Sequence, residues 1–443
     1  MPIAPPTRPP AQSQTLAPNR FVPDLAKLPD VLADHVRRHY TPTRMRRSDA
    51  PLAEIHADAL RDLSGMFTQD REVLPPGYLT QPRYRGAYLL YFVPTGVATV
   101  QTVLAGARVL DPPPPPGTTL RVLDVGAGPL TASLAVALRL PPGVKLSVTA
   151  IDAALPILED GRDLLRALVP EAEVTLIAGN LRDGRTLQRA EGRFDLILVA
   201  NVLNEWAIGG KKAQAPTEFV EKLLATRLAE HGTAVLIEPG TRTGSHALVE
   251  VREHLLATTE LAILGPCMGR MPCPLADARD WCHAEQPWVR PPLVAQLDEA
   301  IGHRRSTLKY SHLVLADRPQ PAAQPYRFRV IGGPMRADGM FRRYLCGTQG
   351  RLVAAVSETE MPRHPALRDA WRGDALEVPG AIHEEKRGRH QETILVPRGA
   401  QPTSGARVDS RPRPDPGARP RTDPRPSRTS PRRGSRPEPR EPR

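Results

Sequence analysis

Between residues 117 and 264, apolar runs of strand length alternate with amphipathic stretches of helical length. This alternation constrains the fold more than any other feature, because strands linked through helices pair in parallel and are covered on both faces. It predicts strands at 120–125, 146–151, 174–178, 194–200 and 233–237. It predicts helices at 130–139, 154–168 and 216–231, the last ended by Gly232. A further helix fits 245–259, with strands at 261–264 and 310–316. The expected class is α/β with a Rossmann-like core.

The flanks read differently. From 24 to 116 the pattern is helical. Ser48-Asp49 before Pro51 is a start signal, and Leu52, Ile55, Ala59, Leu63 and Met66 recur at three- and four-residue spacing. Tyr84, Tyr88, Tyr91 and Phe92 read as helix packing. The run Asp111-Pro112-Pro113-Pro114-Pro115-Pro116-Gly117 admits neither helix nor central strand, so it marks a stiff boundary. Residues 265–309 form a Cys-rich insertion, and 310–394 hold the last core strand and a small β module with Gly turns. Of 51 prolines, seven lie in 1–23, which also lack acids, and 11 lie in 401–443 with 12 Arg and 5 acids. We expect a disordered lead-in over 1–23 and a disordered basic tail over 395–443.

The net charge of +12 is therefore mostly the tail's. Lysine numbers only 7, Lys211 and Lys212 among them, and the Arg/Ala/Pro bias reads as the mark of a GC-rich, bacterial genome. No uninterrupted apolar run reaches about 18 residues, so no membrane helix is expected, and the N-terminus lacks a secretory apolar stretch. Four cysteines are too few for a disulfide scaffold, which points to a reducing compartment with thiols free for metal.

At the first strand–helix junction stands Leu123-Asp124-Val125-Gly126-Ala127-Gly128-Pro129-Leu130. Glycines there let a ligand approach backbone that a Cβ would shield. Asp152 follows at the end of the second strand, placed to accept ribose hydroxyls. The loop lacks the third glycine of the dinucleotide fingerprint and the Gly-Lys-Ser/Thr of a phosphate loop. Asp124 would repel a pyrophosphate and suits a ligand bearing an ammonium group. These residues resemble the first motif and ribose acid of class I S-adenosylmethionine-dependent methyltransferases. The resemblance implies a cofactor site of Asp124, Gly126, Gly128, Asp152, Asn180, Leu181 and Asn201, with Asn180-Leu181 at the adenine and Asn201-Val202-Leu203-Asn204-Glu205-Trp206 bordering the methyl acceptor. The Asn/Asp-Pro-Pro-Tyr signature of many amino methyltransferases is absent, and no catalytic residue is assigned. Glu205 is a candidate base whose commoner reading is a helix cap.

Cys267, Cys273 and Cys282 lie within 16 residues, and Cys346 follows 64 further on. Four thiolates can close a tetrahedral zinc site or hold a [4Fe–4S] cluster. The gaps lack Cys-x-x-Cys knuckles, and the spacing leaves iron–sulfur, zinc and no metal open. The Cys-x-x-x-Cys-x-x-Cys of a radical enzyme is missing. His283, beside Cys282, reads as a surface histidine or a neighbour of a metal ligand.

Taken together, the glycine loop, Asn201–Trp206, Ile237-Glu238-Pro239-Gly240-Thr241, the cysteine loop, Lys309-Tyr310-Ser311-His312, Cys346-Gly347 and Trp371-Arg372-Gly373-Asp374 resemble the mitochondrial small-ribosomal-subunit methyltransferase-like proteins and their bacterial relatives. The resemblance covers roughly 50–385 and departs after Cys282, where His283-Ala284-Glu285-Gln286-Pro287 replaces a more aromatic, basic stretch. It implies a [4Fe–4S] cluster on the four cysteines, with zinc the alternative, and binding to the small ribosomal subunit and its rRNA. It also implies a role in ribosome assembly or translation, with methyl transfer uncertain in the family. The alternatives are a non-catalytic assembly factor and a zinc-stapled methyltransferase on another substrate. The expected site is the bacterial cytoplasm, or the mitochondrial matrix of a eukaryote, with a monomer and no membrane partner. His303, Arg304, Arg305, Lys309, Arg327, Arg329, Arg336, Arg342 and Arg343 are candidate phosphate contacts.

Overall fold

The computed structural model describes residues 21–46, 50–68, 77–206, 216–276, 278–303, 305–387 and 390–398. The Ser48-Asp49 signal, Lys211, Lys212, Arg304, residues 1–20 and the tail from 399 lie outside the described residues, as do the side chains of Glu205 and Trp206.

Four helices precede the sheet: α1 (Leu28–His39), α2 (Thr43–Arg46), α3 (Leu52–Thr68) and α4 (Pro82–Gly106). Of the residues at that three- and four-residue spacing, Leu52, Ala59 and Leu63 are buried and Ile55 and Met66 partly so; Leu60 beside them is also buried, and α3 packs on α4. By length and composition α4 is apolar enough to cross a membrane, although Gly, Thr and Pro interrupt its apolar run. About two thirds of that stretch is buried inside the fold, between α1, α3 and the helices of the sheet.

The core sheet comprises β1 (Thr119–Val125), β2 (Lys145–Asp152), β3 (Glu173–Ala178), β4 (Phe194–Ala200), β5 (Leu228–Pro239), β6 (Ala262–Gly265), β7 (Ala284–Pro287) and β8 (Thr307–Ala316). Their order is β3-β2-β1-β4-β5-β8-β6, with β7 also on β8. The pairs from β3 to β5 are parallel, and β8 runs antiparallel to β5, β6 and β7. This is a Rossmann-like core of the class I methyltransferase type. Its strand order reverses between β1 and β4, where open α/β sheets bind ligands beyond the strands' carboxyl ends.

Seven helices accompany these strands: α5 (Thr131–Ala137), α6 (Leu155–Leu168), α7 (Gly184–Gln188), α8 (Leu203–Trp206), α9 (Pro216–Arg227), α10 (Arg242–Thr258) and α11 (Pro292–Ala300). Successive strand residues point to opposite faces. Val122, Leu196 and Leu198 join a core shared with α1, α3, α4, α5, α6 and α11, whereas Leu123, Ile197 and Val199 join one shared with α9 and α10. The first of these cores runs from Leu28 to Val314, across the proline run. Burial on both faces is why the strands read as continuous apolar stretches.

Two expectations need correction. The helix expected to reach residue 231 stops at Arg227, because Leu228 already pairs with Phe194 of β4. The register then shifts, His231 adopts a left-handed backbone, and regular pairing resumes at Thr233. The segment 265–309 also contains β7 and α11 rather than loop alone.

The C-terminal module contains β9 (Arg327–Ala337), β10 (Met340–Gly347), β11 (Gly350–Ser357), α12 (Pro365–Asp369), β12 (Ala375–Glu377), β13 (Gly380–Arg387) and β14 (His390–Pro397). The order is β12-β9-β10-β11-β14-β13, parallel only between β11 and β14. Phe328, Phe341, Leu345, Leu352 and Leu395 fill its own small core. The Gly347 Cα lies so near the Phe328 ring that a Cβ there would stand 2.6 Å from it.

Candidate functional site

The β1–α5 loop is shaped by positive φ at Gly126 (+67°) and Gly128 (+51°), conformations that side chains oppose. The two glycines serve different purposes. A Cβ on Gly126 would lie 2.3 Å from Val202 Cγ2, so this glycine lets the loop close onto the end of β4. A Cβ on Gly128 would meet nothing within 4 Å, leaving that backbone open to a ligand.

Both carboxylates brace this loop. Asp152 accepts from the Gly128 N–H at 2.9 Å and the Ala154 N–H at 3.0 Å, tying the loop to the end of β2. Burial raises its pKa against these hydrogen bonds. Asp124 is fully buried and accepts from Ser133 N (3.1 Å) and Ser133 Oγ (2.7 Å) at the start of α5. Burial pushes its pKa up to about 7, while the Ser133 hydrogen bonds pull it down.

Asn180 is exposed, and its Oδ1 accepts from the Arg182 N–H at 2.9 Å, forming a turn after β3. Leu181 is half-buried against the core of the α9–α10 face. Asn201 is exposed with φ +60°, and its N–H donates to Ile237 O at 2.8 Å. Thus Gly128, Asn180 and Asn201 stand in the loops after β1, β3 and β4, and Asp152 at the end of β2, along one end of the sheet.

The thiols gather elsewhere. Cys267, Cys273, Cys282 and Cys346 line one cleft with Arg252 and Arg329. The first three come from the segment after β6 and the fourth from β10. Burial pushes Cys282 up to about 11, and burial with repulsion from the other three thiols pushes Cys346 up to about 12. Arg252, only 4% exposed, donates to Cys267 Sγ at 3.2 Å and to Met271 O at 2.6 Å. Arg329 is 9% exposed, and its Nε has no hydrogen-bond partner among the described residues. Among the described residues, no three His, Cys, Asp or Glu side chains are grouped closely enough to hold a single metal ion.

The cleft's walls are held independently of any metal. Cys282 O accepts from Ser245 Oγ (2.7 Å) and Ser311 Oγ (2.8 Å). Arg372 donates to Trp281 O and Asp280, Glu285 N–H donates to Arg372 O, and Gly373 N–H donates to Val330 O. The Trp371–Asp374 motif therefore ties the cysteine segment to β9. Gly373 (φ +99°) is needed there because a Cβ would lie 2.5 Å from that of Ala284.

A family model described as the mitochondrial small ribosomal subunit Rsm22 matches residues 83–376. The chain belongs to this family. No curated protein matches it. Among solved structures, the Rsm22-family chain is similar to a conserved hypothetical protein of Streptococcus pyogenes, at 14% identity over 48% of this chain and 94% of that one (TM-score 0.28). It is also similar to the CurJ carbon methyltransferase, at 16% identity over 60% and 67% (TM-score 0.32). A third is precorrin-6y C5,15-methyltransferase of Geobacter metallireducens, at 16% identity over 49% and 86% (TM-score 0.30). At such distances these likenesses concern the fold alone.

Several expected surface groups of this Rsm22-family chain are interior. Arg329 lies in the thiol cleft, and Arg343, 3% exposed, donates to Leu367 O at 2.6 Å. Arg305 is half-buried and donates to Ser64 Oγ, whereas Lys309 stays exposed and pairs with Glu285 at 3.2 Å. His283 is buried beside Trp281 and Glu285, with burial lowering its pKa. Two positioning roles escaped the sequence reading, although Glu238 stands in one of the stretches that carry the resemblance. Gly161 of α6 packs on the glycine loop, where a Cβ would lie 2.4 Å from Pro129 C. Glu238, fully buried, accepts from the N–H groups of Val202, Leu203 and Asn204 (2.8–3.1 Å) and so fixes the loop after β4. Their only local signals are a glycine inside a helix and an acid at the end of an apolar strand.

Proposed function

We propose that the protein binds S-adenosylmethionine beyond β1, β2 and β4, carries a [4Fe–4S] cluster on Cys267, Cys273, Cys282 and Cys346, and acts on or binds small-subunit rRNA in ribosome assembly. One observation carries the reading: a single chain of the Rsm22 family joins an open glycine loop at the strand-order switch to four thiols on one cleft. In the cofactor site, Gly128 offers its backbone, Asp152 takes the ribose hydroxyls, and Asn180 with Leu181 flanks the adenine. Asp124 acts as the brace beneath, and Asn201 lines the acceptor side.

The chemistry of the cleft favours a thiolate-bound group. Neutral thiols leave Arg329 Nε without a partner, whereas thiolates made by metal binding supply negative charge beside Arg252 and Arg329. Four thiolates there would hold a [4Fe–4S] cluster, with a single zinc ion the alternative. When bound, the cluster would join β10 to the segment after β6 and contribute to folding. The cell compartment that fits is the mitochondrial matrix in a eukaryote and the cytoplasm in a bacterium.

The test is anaerobic purification with iron, sulfide and zinc assays, sequencing of co-purified RNA, and binding of labelled S-adenosylmethionine. Four iron and four sulfide per chain with bound small-subunit rRNA is the expected result. Zinc without iron, or no rRNA, overturns the corresponding part. Methyl transfer to rRNA that is lost in Asp152→Ala distinguishes an enzyme from an assembly factor that uses the fold for binding alone.

A further inference from the structure

The C-terminal module has the connectivity of a closed five-stranded barrel. β9, β10 and β11 form an antiparallel meander, α12 follows the third strand, and β14 lies parallel to β11. β12 and β13 together make one bent fourth strand. Its first part pairs with β9 and its second with β14, and the pairing continues through the bend: Val378 N–H donates to Tyr326 O and Arg398 N–H to Pro379 O. Gly380 sits at this corner, where a Cβ would stand 2.3 Å from Val396 O. The strand order 1-2-3-5-4, closed back onto strand 1, with a helix between strands 3 and 4, is that of the OB-fold. Barrels of that kind take oligonucleotides or oligosaccharides on the face of strands 2 and 3.

Fold alone assigns no ligand, so the side chains on that face decide. Along β10, Phe341, Arg343 and Leu345 are buried, and Arg342, Tyr344 and Cys346 point the other way. Along β11, Leu352, Ala354 and Val356 enter the barrel core; on the opposite face Arg351 is exposed, Ala355 half-buried and Val353 buried beneath its cross-strand partner Tyr344. Tyr344 lies against Gly332 of β9, whose Cβ would come within 3.1 Å of the tyrosine side chain. The absent side chain lets the ring rest on the sheet. The Arg351 guanidinium lies 4.1 Å from the centroid of that ring.

Some exposed arginines, Arg38, Arg61, Arg83, Arg108 and Arg368 among them, stand beside carboxylates. Arg351 is exposed, and among the described residues it pairs with no acid. With one ring face on the sheet and the other under Arg351, the Tyr344–Arg351 stack presents the outer plane of the guanidinium to a base and its positive charge to a phosphate.

We propose that the outer face of β10 and β11 is a binding site for single-stranded RNA, with Tyr344 and Arg351 as its recognition side chains. The proposal rests on the rRNA reading above and adds the surface and the strandedness. Bases in an A-form duplex are stacked on one another and cannot reach Tyr344, whereas those of a loop or single strand can.

The test uses the full-length protein, a fluorescent oligouridine strand and fluorescence anisotropy at fixed salt. Tyr344→Ala and Arg351→Gln should each weaken binding about tenfold, the scale of one lost base stack. Tyr344→Phe should bind as wild type does, and melting temperature and S-adenosylmethionine binding should not change. An RNA duplex of equal length should fail to compete, and equal competition overturns the single-strand assignment. If wild type and both weakened variants retain small-subunit rRNA equally, this surface is wrong while the proposed function stands. If the wild-type protein binds neither oligouridine nor rRNA, the rRNA reading itself fails. A partner protein lost on Tyr344→Ala while RNA binding is unchanged also overturns the assignment.

Discussion

Gly161→Ala puts the reading of the glycine loop at risk in a single substitution. In an unobstructed helix, alanine is favoured over glycine by about 1 kcal/mol. Gly65 of α3 meets that condition, since a Cβ there has nothing within 4 Å. At Gly161 the same Cβ would stand 2.4 Å from Pro129 C, 2.7 Å from Pro129 O and 2.6 Å from Leu130 Cδ1. The first gap is about 1 Å short of a normal carbon–carbon contact. Two of the three obstacles are backbone and cannot rotate aside, so α6 or the loop must move. Overpacking of this kind costs about 1–3 kcal/mol, which against the propensity gain of about 1 kcal/mol leaves a net loss of up to about 2 kcal/mol. Differential scanning fluorimetry should therefore show Gly65→Ala melting above wild type and Gly161→Ala melting below it, by roughly 2–4 °C per kcal/mol. Displacement of Pro129 should also weaken S-adenosylmethionine binding in Gly161→Ala and leave it unchanged in Gly65→Ala. If both variants melt above wild type with equal cofactor affinity, the close packing of α6 on the loop is refuted.

Asp124 tests the loop's electrostatics. Its folded pKa of about 7 lies above the unfolded value of about 4, so the folded state holds the proton more tightly. Stability from this group is greatest at acid pH and falls as pH rises from about 4 through 7, by an amount on the order of 4 kcal/mol. Asp124→Asn should remove that slope: urea midpoints near pH 4 should differ little, and at pH 8 the variant should be the more stable. Glu238→Ala strips the acceptor from three buried N–H groups and should cost about 3 kcal/mol or more in urea unfolding, whereas a loss below about 1 kcal/mol would mean that water replaces the carboxylate. Arg343→Ala should destabilise the barrel by about 1–3 kcal/mol without changing RNA affinity, and a selective loss of RNA binding would contradict its interior placement.

The parallel strands were legible in the sequence because burial on both faces writes itself locally: Val122-Leu123 and Leu196-Ile197-Leu198 are apolar regardless of which face each meets. The glycine loop was legible because positive φ restricts residue type at the position itself. The end of α9 was not, since helix gives way at Leu228 to a partner 34 residues earlier, Phe194. The roles of Gly161 and Glu238 depend likewise on neighbours far along the chain. The last barrel strands were hidden by their polarity. His383, Glu384 and Glu385 lie in β13, which pairs with β14 alone and has exposed side chains at those positions. The arginines before Cys346 read as one charged cluster, yet strand alternation sends Arg343 inward and Arg342 outward.

Helices from before the proline run share one core with the sheet, and this has a practical consequence. A fragment starting at residue 117 would retain every residue proposed to touch a cofactor. It would nevertheless leave bare the surface that Leu28, Leu60, Leu89 and Val97 help to cover, with Val122, Leu196 and Val314 exposed beneath. Trimming to that fragment should therefore yield aggregates.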